Sequence, residues 1–272
     1  MSTVIAAVIP SQNEILTIPK VLNSLKQVPV DIIIPVINGT TDGSLEFIRK
    51  LKGEQLYPVC FPEPLGIDVP RAIGAKIARD LKAFMVIFID GDMSGDIGQN
   101  IKQLVESVLE DRLDLALTDC YPHSHPRYIS PLAAKVLEFR KNLNIELSLG
   151  HLGTASPSHG PHAISRRLLE LTPVEYFALP PTLLVIAVQK DLKIGIGTSV
   201  AHSALGSQLK TSLHSSLIAD TIVGDCIEAS QLFKGLTRHR CRENNKYIGY
   251  HSTRRWDLLA KFLEHRIKTD CN

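Results

Sequence analysis

Three aspartates, Asp90, Asp92 and Asp96, lie within seven positions in the stretch FIDGDMSGD, at the end of the apolar run Phe84 to Ile89. If this run is a strand, residues i and i+2 point to the same side, so Asp90 and Asp92 can converge while Gly91 lets a ligand approach the backbone. Two hard carboxylates beside a ligand's phosphates are the usual way to hold Mg²⁺ or Mn²⁺. A solvated turn is the alternative, because Asp, Gly and Ser are common in turns.

The surrounding segments predict the frame that positions these carboxylates. Short β-branched runs alternate with helix-like stretches in the first 120 residues, at Val4–Ile9, Asp31–Ile37, Leu56–Cys60, Met85–Asp90 and Leu113–Thr118. This alternation is typical of an α/β protein with a mostly parallel sheet flanked by helices. Ligands of such sheets bind at the carboxyl ends of the strands, where Asn38 and Asp90 to Asp92 fall.

The pattern changes in the second half of the chain. An amphipathic helix is predicted from Pro131 to about Leu147, followed by the loop GHLGTASPSHGPH at residues 150–162. Two apolar helices, near residues 166–171 and 183–190, and a strand at Lys193–Gly197 precede a mostly helical C-terminus. A long loop inside a compact domain is usually functional, and the histidines and glycines of this one favour that interpretation.

The composition excludes several classes of protein. The 272 residues, 44% of them hydrophobic and 21% charged, can bury a substantial core, and no apolar run reaches the roughly 20 residues of a membrane span. The N-terminus lacks the features of a signal peptide, which predicts a cytoplasmic protein. A net charge of +2 does not suggest a nucleic-acid partner. The five scattered cysteines predict reduced thiols without a metal role.

Four motifs at the predicted strand ends resemble a known family when taken together. They are VIPSQNE after the first strand, NGTTDGS after the second, PRAIG before the fourth and DGD after it. Their order and spacing resemble the GT-A fold glycosyltransferases, and the match is closest to family 2-like enzymes. The resemblance covers about the first 120 residues, and its strength lies in the four motifs together, since each is weak alone.

The resemblance implies a site for a nucleotide diphosphate sugar. Asn38 matches the second aspartate of the family's second loop, whereas Ile37 stands where the first aspartate is found, and an amide can donate as well as accept, so the base stays open. The donor that the resemblance implies is a UDP- or a GDP-sugar. Arg71 falls where a cation would face the diphosphate, with Lys76 as a second candidate. The full set of residues implied for nucleotide-sugar binding is Pro10, Glu14, Asn38, Arg71, Lys76, Asp90, Gly91 and Asp92.

The second half resembles soluble GT-A enzymes of the glucosyl-3-phosphoglycerate synthase and mannosylglycerate synthase kind. Those enzymes place a metal-binding histidine after the strand that follows the acceptor-side helix, and His202 in GTSVAHS matches that position. The resemblance therefore implies that Asp90, Asp92 and His202 hold Mg²⁺ or Mn²⁺. A polar surface histidine is the alternative.

The catalytic base of the inverting family members is absent from its usual place. They carry an acidic residue near the start of the acceptor-side helix, where this chain has Pro180 and Pro181. Glu175 and His151 are the candidates for a base, with Asp68 and Asp96 as further carboxylates. Alternatively, the enzyme is retaining, and the family pattern then implies that the leaving diphosphate assists the attack of the acceptor.

The loop at residues 150–162 is the predicted acceptor side. Its glycines permit close backbone approach, and its polar side chains suit hydroxyls, a carboxylate or a phosphate. The residues assigned to the acceptor are Thr154, Ser156, His159, Gly160 and His162, with Ser158 as a further donor. They predict a small anionic or lipid-linked acceptor. A purely structural role of the histidines is the alternative.

The C-terminal segment 234–255 is basic. Its cations are Arg238, His239, Arg240, Arg242, Arg254 and Arg255. They could bind a phosphorylated acceptor or anionic lipid headgroups, but a solvated face is the default prediction. The apolar stripe of the helix WDLLAKFLEHRIK, which begins at Trp256, predicts docking on the core or on a partner in a homodimer rather than on a membrane.

The sequence thus predicts a metal-dependent hexosyltransferase of GT-A fold. The predicted boundaries are a nucleotide-sugar-binding half at residues 1–125, an acceptor-side half at 126–205 and a helical extension at 206–272. A nucleotide-sugar sensor without turnover is the main alternative, favoured by Ile37 and the missing base. A sugar-phosphate nucleotidyltransferase is a weaker one, because SQNE after the first strand is neither glycine-rich nor basic.

Overall fold

A seven-stranded sheet forms the centre of the protein. The computed structural model describes residues 4–51, 53, 55–122, 129–207, 211–267 and 269. The strands of this sheet are β1 (Ile5–Ser11), β2 (Ile32–Asn38), β3 (Val59–Phe61), β4 (Met85–Phe88), β5 (Leu115–Asp119), β6 (His162–Ser165) and β7 (Ile194–Ser199). Their order is β3-β2-β1-β4-β6-β5-β7, and β6 alone runs antiparallel to its neighbours in this described sheet. The predicted mostly parallel α/β architecture is confirmed.

Helices cover both faces of the sheet. They are α1 (Ile18–Leu25), α2 (Ser44–Lys50), α3 (Val69–Asp80), α4 (Gly98–Leu109), α5 (Pro131–Glu146), α6 (Arg166–Leu171), α7 (Thr182–Gln189), α8 (Ser212–Lys234) and α9 (Trp256–Leu263). Strand β1 shows why two cores form: Ala6 and Val8 pack into one hydrophobic cluster, while Ile5, Ala7 and Ile9 pack into the other. The side chains of a strand alternate, so a central parallel strand is apolar on both faces.

Helix α3 lies unusually close to β1 at Gly74. A Cβ atom on residue 74 would lie 2.2 Å from Cγ1 of Val8 and 2.9 Å from its Cγ2. Val8 is fully buried and β-branched, so it has little freedom to move. This contact fixes α3, and with it Arg71, against the strand that carries Pro10.

We expect Gly74→Ala to destabilise the protein by up to about 2 kcal/mol. Overpacking a core costs about 1–3 kcal/mol, and the better helix propensity of alanine offsets about 1 kcal/mol of that cost. Urea unfolding of the purified variant measures the change. The double variant Val8→Ala, Gly74→Ala removes the clash, so the cost of Gly74→Ala should shrink in the Val8→Ala background. An equal cost in both backgrounds would contradict the contact.

The C-terminal elements pack on the sheet domain. Helix α8 packs against α5 and α7, and a short hairpin of β8 (Cys241–Arg242) and β9 (Asn245–Lys246) follows it. In α9, Leu258 and Leu259 are buried in the main core, and Phe262 meets Phe61 edge to face with the ring centroids 6.0 Å apart. The apolar stripe of this helix therefore docks on the core. None of the described helices is long and apolar enough to cross a bilayer.

Two expectations about local features are corrected. Strand β6 was not predicted, because its residues His162 to Ser165 continue the polar loop without a β-branched run. The prediction of reduced cysteines is wrong for Cys60, which is disulfide-bonded. Its backbone N–H also donates to the carbonyl of Thr269 at 3.1 Å. The spacing of cysteines along the sequence does not reveal that Thr269 lies beside β3.

Candidate functional site

A cleft of about 550 Å³ opens at the carboxyl ends of β1, β2 and β4. These strands are parallel neighbours, so the loops that follow them meet at one edge of the sheet. Six of the residues implied for nucleotide-sugar binding line the cleft: Pro10, Glu14, Asn38, Arg71, Asp90 and Asp92. Lys76 is not among the lining residues, and its Nζ pairs with Asp80 on the same helix at 2.5 Å.

The acidic loop after β4 is held from two sides. Oδ1 of Asp90 accepts a hydrogen bond from Nη2 of Arg71 at 2.5 Å, and Oδ1 of Asp92 accepts one from Ser207 at 3.3 Å. Burial raises the pKa of Asp90, and the Asp92 carboxylate adds to this, whereas Arg71 opposes it. The net direction is upward. The two carboxylates repel each other, so a cation in the cleft would stabilise both.

Gly91 gives room to a protein carboxylate. A Cβ on residue 91 would lie 2.0 Å from Oε2 of Glu14 and 3.2 Å from the carbonyl oxygen of Pro10. The missing side chain at residue 91 therefore makes room for the first loop. Glu14 approaches this glycine, which lies between Asp90 and Asp92 in the chain, and carboxylate oxygen atoms are ligands that Mg²⁺ and Mn²⁺ prefer. The chemistry of these oxygen atoms fits a hard divalent cation.

The remaining predicted metal ligand lies beside the acidic loop. The backbone around His202 is tied to it, since Gly95 donates to the carbonyl of Leu205 and Ser94 to that of Gly206, both at 2.9 Å. The His202 ring is exposed, lies with Nδ1 2.9 Å from Nε2 of His159, and stacks on Tyr121. Within the described residues, no group of three or more His, Cys, Asp or Glu side chains forms a metal site by itself.

Arg71 lies in the wall of the cleft, and one of its buried nitrogen atoms has no hydrogen-bond partner among the described residues. Its side chain is 8% exposed, Nε binds Asp68 at 2.9 Å and Nη2 binds Asp90, but Nη1 makes no hydrogen bond with any described residue. Burial lowers the pKa of this guanidinium, and Asp90 and Asp68 raise it by more. A buried donor without a partner costs free energy, which an anion in the cleft would recover.

The loops after β1 and β2 are tied together by Asp42, which was not singled out as a site residue. Its carboxylate accepts hydrogen bonds from the backbone N–H of Ile15 at 2.9 Å and of Ser44 at 3.0 Å. Burial raises the pKa of Asp42, but hydrogen bonds from Ser44, Ile15 and Thr40 together outweigh it and lower the pKa to about 2. The motif NGTTDGS thus holds the first loop.

Asn38 lines the cleft while also stabilising a loop. Its Oδ1 accepts a hydrogen bond from the backbone N–H of Leu65, and its Nδ2 donates to the carbonyl of Gly66 at 3.5 Å. An aspartate has no N–H to donate to Gly66. The amide at this position therefore supports the segment that forms one rim of the cleft.

The predicted acceptor loop reaches the cleft through Ser158. Ser156 is buried and lies 3.0 Å from Ser158, oxygen to oxygen, and Gly160 has a φ of +73° beside Cys120. Thr154, Ser156, His159, Gly160 and His162 are not lining residues of the cleft. His162 is 1% exposed and stacks on Phe88, and burial together with Arg71 lowers its pKa to about 3.

A buried cation stands behind Ser158. Arg140 is 3% exposed, with Nε donating to Oγ of Ser158 at 3.2 Å and Nη2 to its carbonyl at 3.1 Å. Within the described part of the chain, Arg140 has no carboxylate partner. An uncompensated buried charge is costly, so this wall of the cleft favours a negative ligand.

The two candidates for a catalytic base lie away from the cleft. Glu175 lines a different cavity, of about 380 Å³, together with Arg238, His251 and Trp256. His151 is exposed on a short 3₁₀ helix at Gly150–Leu152. Neither is brought to the carboxyl ends of the strands. Pro180 and Pro181, where the family's base would be expected, are buried.

The C-terminal half supplies a wall of the cleft that was not predicted. His214 and Ile218 of α8 lie on it, together with Tyr250 and Thr253 from the 3₁₀ helix Gly249–Thr253. Nδ1 of His214 lies 2.9 Å from the hydroxyl of Tyr250. No local motif marks these residues, and the only available signal was the apolar spacing within α8.

Solved structures with this fold include crystal structures of glucosyl-3-phosphoglycerate synthase from Mycobacterium tuberculosis. The complex with UDP has a TM-score of 0.59 at 19% sequence identity and covers 87% of this chain and 82% of that chain. The complex with Mn²⁺, UDP and glucosyl-3-phosphoglycerate has a TM-score of 0.59 at 19% identity and covers 87% of this chain and 81% of that chain. The complex with Mg²⁺ and UDP has a TM-score of 0.57 at 18% identity and covers 87% of this chain and 81% of that chain. At these identities the likeness shows the fold.

The family is shown by the sequence itself. No curated protein matches the chain. The model of glycosyl transferase family 2, however, matches residues 6–170, which is more than half of the chain and includes β1 to β6 with the loops that line the cleft. The protein therefore belongs to glycosyl transferase family 2 and is a glycosyltransferase.

Proposed function

We propose that this glycosyltransferase moves a hexose from a UDP-sugar to a small anionic acceptor with the help of Mg²⁺ or Mn²⁺. The observation that carries the proposal is the pairing, in one cleft, of the Asp90 and Asp92 carboxylates with the partly unsatisfied guanidinium of Arg71. A nucleoside diphosphate bound with a divalent cation has the complementary charges. The choice of uridine is supported by the UDP complexes of the fold relatives.

Asp92, with Asp90, would hold the cation, and the diphosphate would complete its ligands. When bound, such a cation neutralises the charge that develops on the departing diphosphate. Arg71 would contribute in the same way, since it is buried in the cleft wall and needs no reorganisation at the moment of reaction. His202 stays a predicted ligand, because its loop adjoins the acidic loop.

The acceptor would bind beside Ser158, in front of Arg140. The buried positive charge favours a phosphate or a carboxylate over a neutral sugar. An anionic acceptor agrees with the phosphoglycerate complexes of the glucosyl-3-phosphoglycerate synthase from Mycobacterium tuberculosis. We therefore propose a phosphorylated hydroxy acid as the acceptor class.

The carboxylates of the cleft support a retaining course. Asp68, Asp90 and Asp225 are paired with arginines, Glu14 lies against Gly91, and Asp92 is assigned to the cation. In the retaining course, the acceptor hydroxyl oxygen bonds to the anomeric carbon as the bond to the diphosphate oxygen breaks. The hydroxyl proton passes to the departing diphosphate. No protein base is needed for these steps.

Thermal unfolding with nucleotides and a transfer assay test the proposal. We expect UDP with Mn²⁺ to raise the Tm by several degrees, because a ligand at about 100 times its Kd adds about 2.7 kcal/mol of stability. EDTA should remove most of this shift. Mass spectrometry should detect a hexosylated product from UDP-glucose and 3-phosphoglycerate, and little product from glycerol. Binding without transfer to any acceptor would favour a sensor, and absence of a shift with any nucleotide would contradict the proposal.

A further inference from the structure

A chain of buried and partly buried ion pairs leads from the acidic loop to the C-terminal segment. It begins at Asp90, which binds Nη2 of Arg71 at 2.5 Å. Nε of the same guanidinium donates to Oδ1 of Asp68 at 2.9 Å. The second oxygen of Asp68, Oδ2, accepts from Nη2 of Arg254 at 3.0 Å. One carboxylate thus joins an arginine of the cleft to an arginine near the C-terminus.

Arg254 is itself anchored on α8. It donates two parallel hydrogen bonds to Asp225, each 2.7 Å long, from Nη1 to Oδ1 and from Nη2 to Oδ2. Asp225 also accepts from Nη1 of Arg240 at 2.6 Å, and that atom lies 3.0 Å from Oε1 of Glu228. The side chains of Arg254 and Asp225 are 0% and 2% exposed. A two-point pair of this kind fixes the orientation of a guanidinium.

The carboxylate of Asp68 binds two arginines and does not cap helix α3. Asp68 precedes α3 with a φ of +61°, and its side chain makes no capping hydrogen bond to the helix. Its two oxygens are instead divided between Arg71 and Arg254. Because Arg254 occupies Oδ2, Asp68 binds Arg71 through Nε only. This arrangement leaves Nη2 for Asp90, while Nη1 has no hydrogen-bond partner among the described residues.

We propose that Arg254 is a positioning residue for the diphosphate of the donor. This inference rests on the proposed function, because the proposed function makes the diphosphate of the nucleotide sugar the ligand of Arg71. Without Arg254, the Asp68 carboxylate is free to turn and accept two hydrogen bonds from Arg71. That rearrangement draws Nη2 away from Asp90 and shifts the guanidinium in the cleft wall, so nucleotide affinity falls although no residue that touches the nucleotide has changed.

The neighbouring Arg255 offers a matched control. It is a cation of the same basic segment, but it is partly exposed and pairs with Glu63 and Asp257 on the surface. It is not a lining residue of the cleft. The default prediction of a solvated basic face fits Arg255, whereas Arg254 and Arg240 are buried.

The test is calorimetric titration of UDP, with Mn²⁺ present, into a set of variants. Arg254→Met is expected to raise the Kd of UDP about tenfold, a size typical of coupling through a packed network. Arg255→Met should change the Kd less than twofold. In an Arg71→Met background, Arg254→Met should have no further effect on the Kd, although it still lowers the Tm. A structural role alone would lower the Tm without this dependence on Arg71.

The outcomes separate this inference from the proposed function. Failure of the wild type to bind UDP with Mn²⁺ overturns both. Binding by the wild type with an unchanged Kd in Arg254→Met overturns the positioning role alone, as does an equal loss of affinity in the wild-type and Arg71→Met backgrounds. If Arg254→Met does not fold, Arg254→Lys gives the same comparison, since lysine keeps the charge but cannot make the two-point pair with Asp225.

Discussion

Replacing Asp92 with alanine is expected to lower kcat/KM for sugar transfer by about three orders of magnitude. The carboxylate is half-buried at the rim of the cleft, two residues after Asp90 and against Ser207. A cation bound there supplies several kcal/mol of stabilisation to the departing diphosphate, and each 1.36 kcal/mol is a tenfold change in rate. Loss of the cation therefore removes most of the catalytic effect.

Asp96→Ala is the matched control for this prediction. Asp96 lies in the same acidic loop and is exposed, but it is not a lining residue of the cleft. Steady-state rates should be compared across a Mn²⁺ titration, with the Tm of each variant as a check on folding. We expect Asp96→Ala to keep the wild-type dependence on Mn²⁺. An Asp92→Ala variant whose rate still follows Mn²⁺ as in the wild type would place the cation elsewhere.

The position of the site was predictable because it follows from local patterns. Apolar runs that end in polar residues mark the strands β1, β2 and β4, and the carboxyl ends of parallel strands meet at one edge. Asn38, Asp90 and Asp92 therefore reach the cleft as expected. The contact between Gly91 and Glu14 was not predictable, because Glu14 lies in the loop that follows a different strand.

The burial of a histidine and of two arginines was not predictable from sequence patterns. His162 reads as a polar loop residue, yet β6 inserts between β4 and β5 and buries it against Phe88. Arg240 and Arg254 were predicted to be solvated cations, yet both are buried, and carboxylates of α8 compensate their charges. Both outcomes depend on contacts between residues distant in sequence. Composition and spacing report the residue type but not its partner.

Arg71→Met is expected to lower kcat/KM by about a hundredfold, the usual effect of removing one preorganised donor from a developing negative charge. The methionine keeps most of the side-chain volume and removes Nη1, which has no partner among the described residues, together with the ion pair to Asp90. Arg71→Lys should recover only part of the loss, because an ammonium cannot bind Asp68, Asp90 and a diphosphate in the fixed fork of a guanidinium.

The stability of the variant decides how this loss is interpreted. Removing Arg71 leaves the carboxylates of Asp68 and Asp90 without one of their partners, and breaking a buried pair costs about 3–5 kcal/mol of stability. Rates should therefore be measured well below the Tm and normalised to folded protein. Arg166→Met is the control, since Arg166 forms an exposed pair with Glu170 at 2.6 Å. If Arg71→Met loses stability but turns over UDP-sugar as fast as the control, Arg71 only holds Asp68 and Asp90 in place, and the anion in the cleft is bound by other donors.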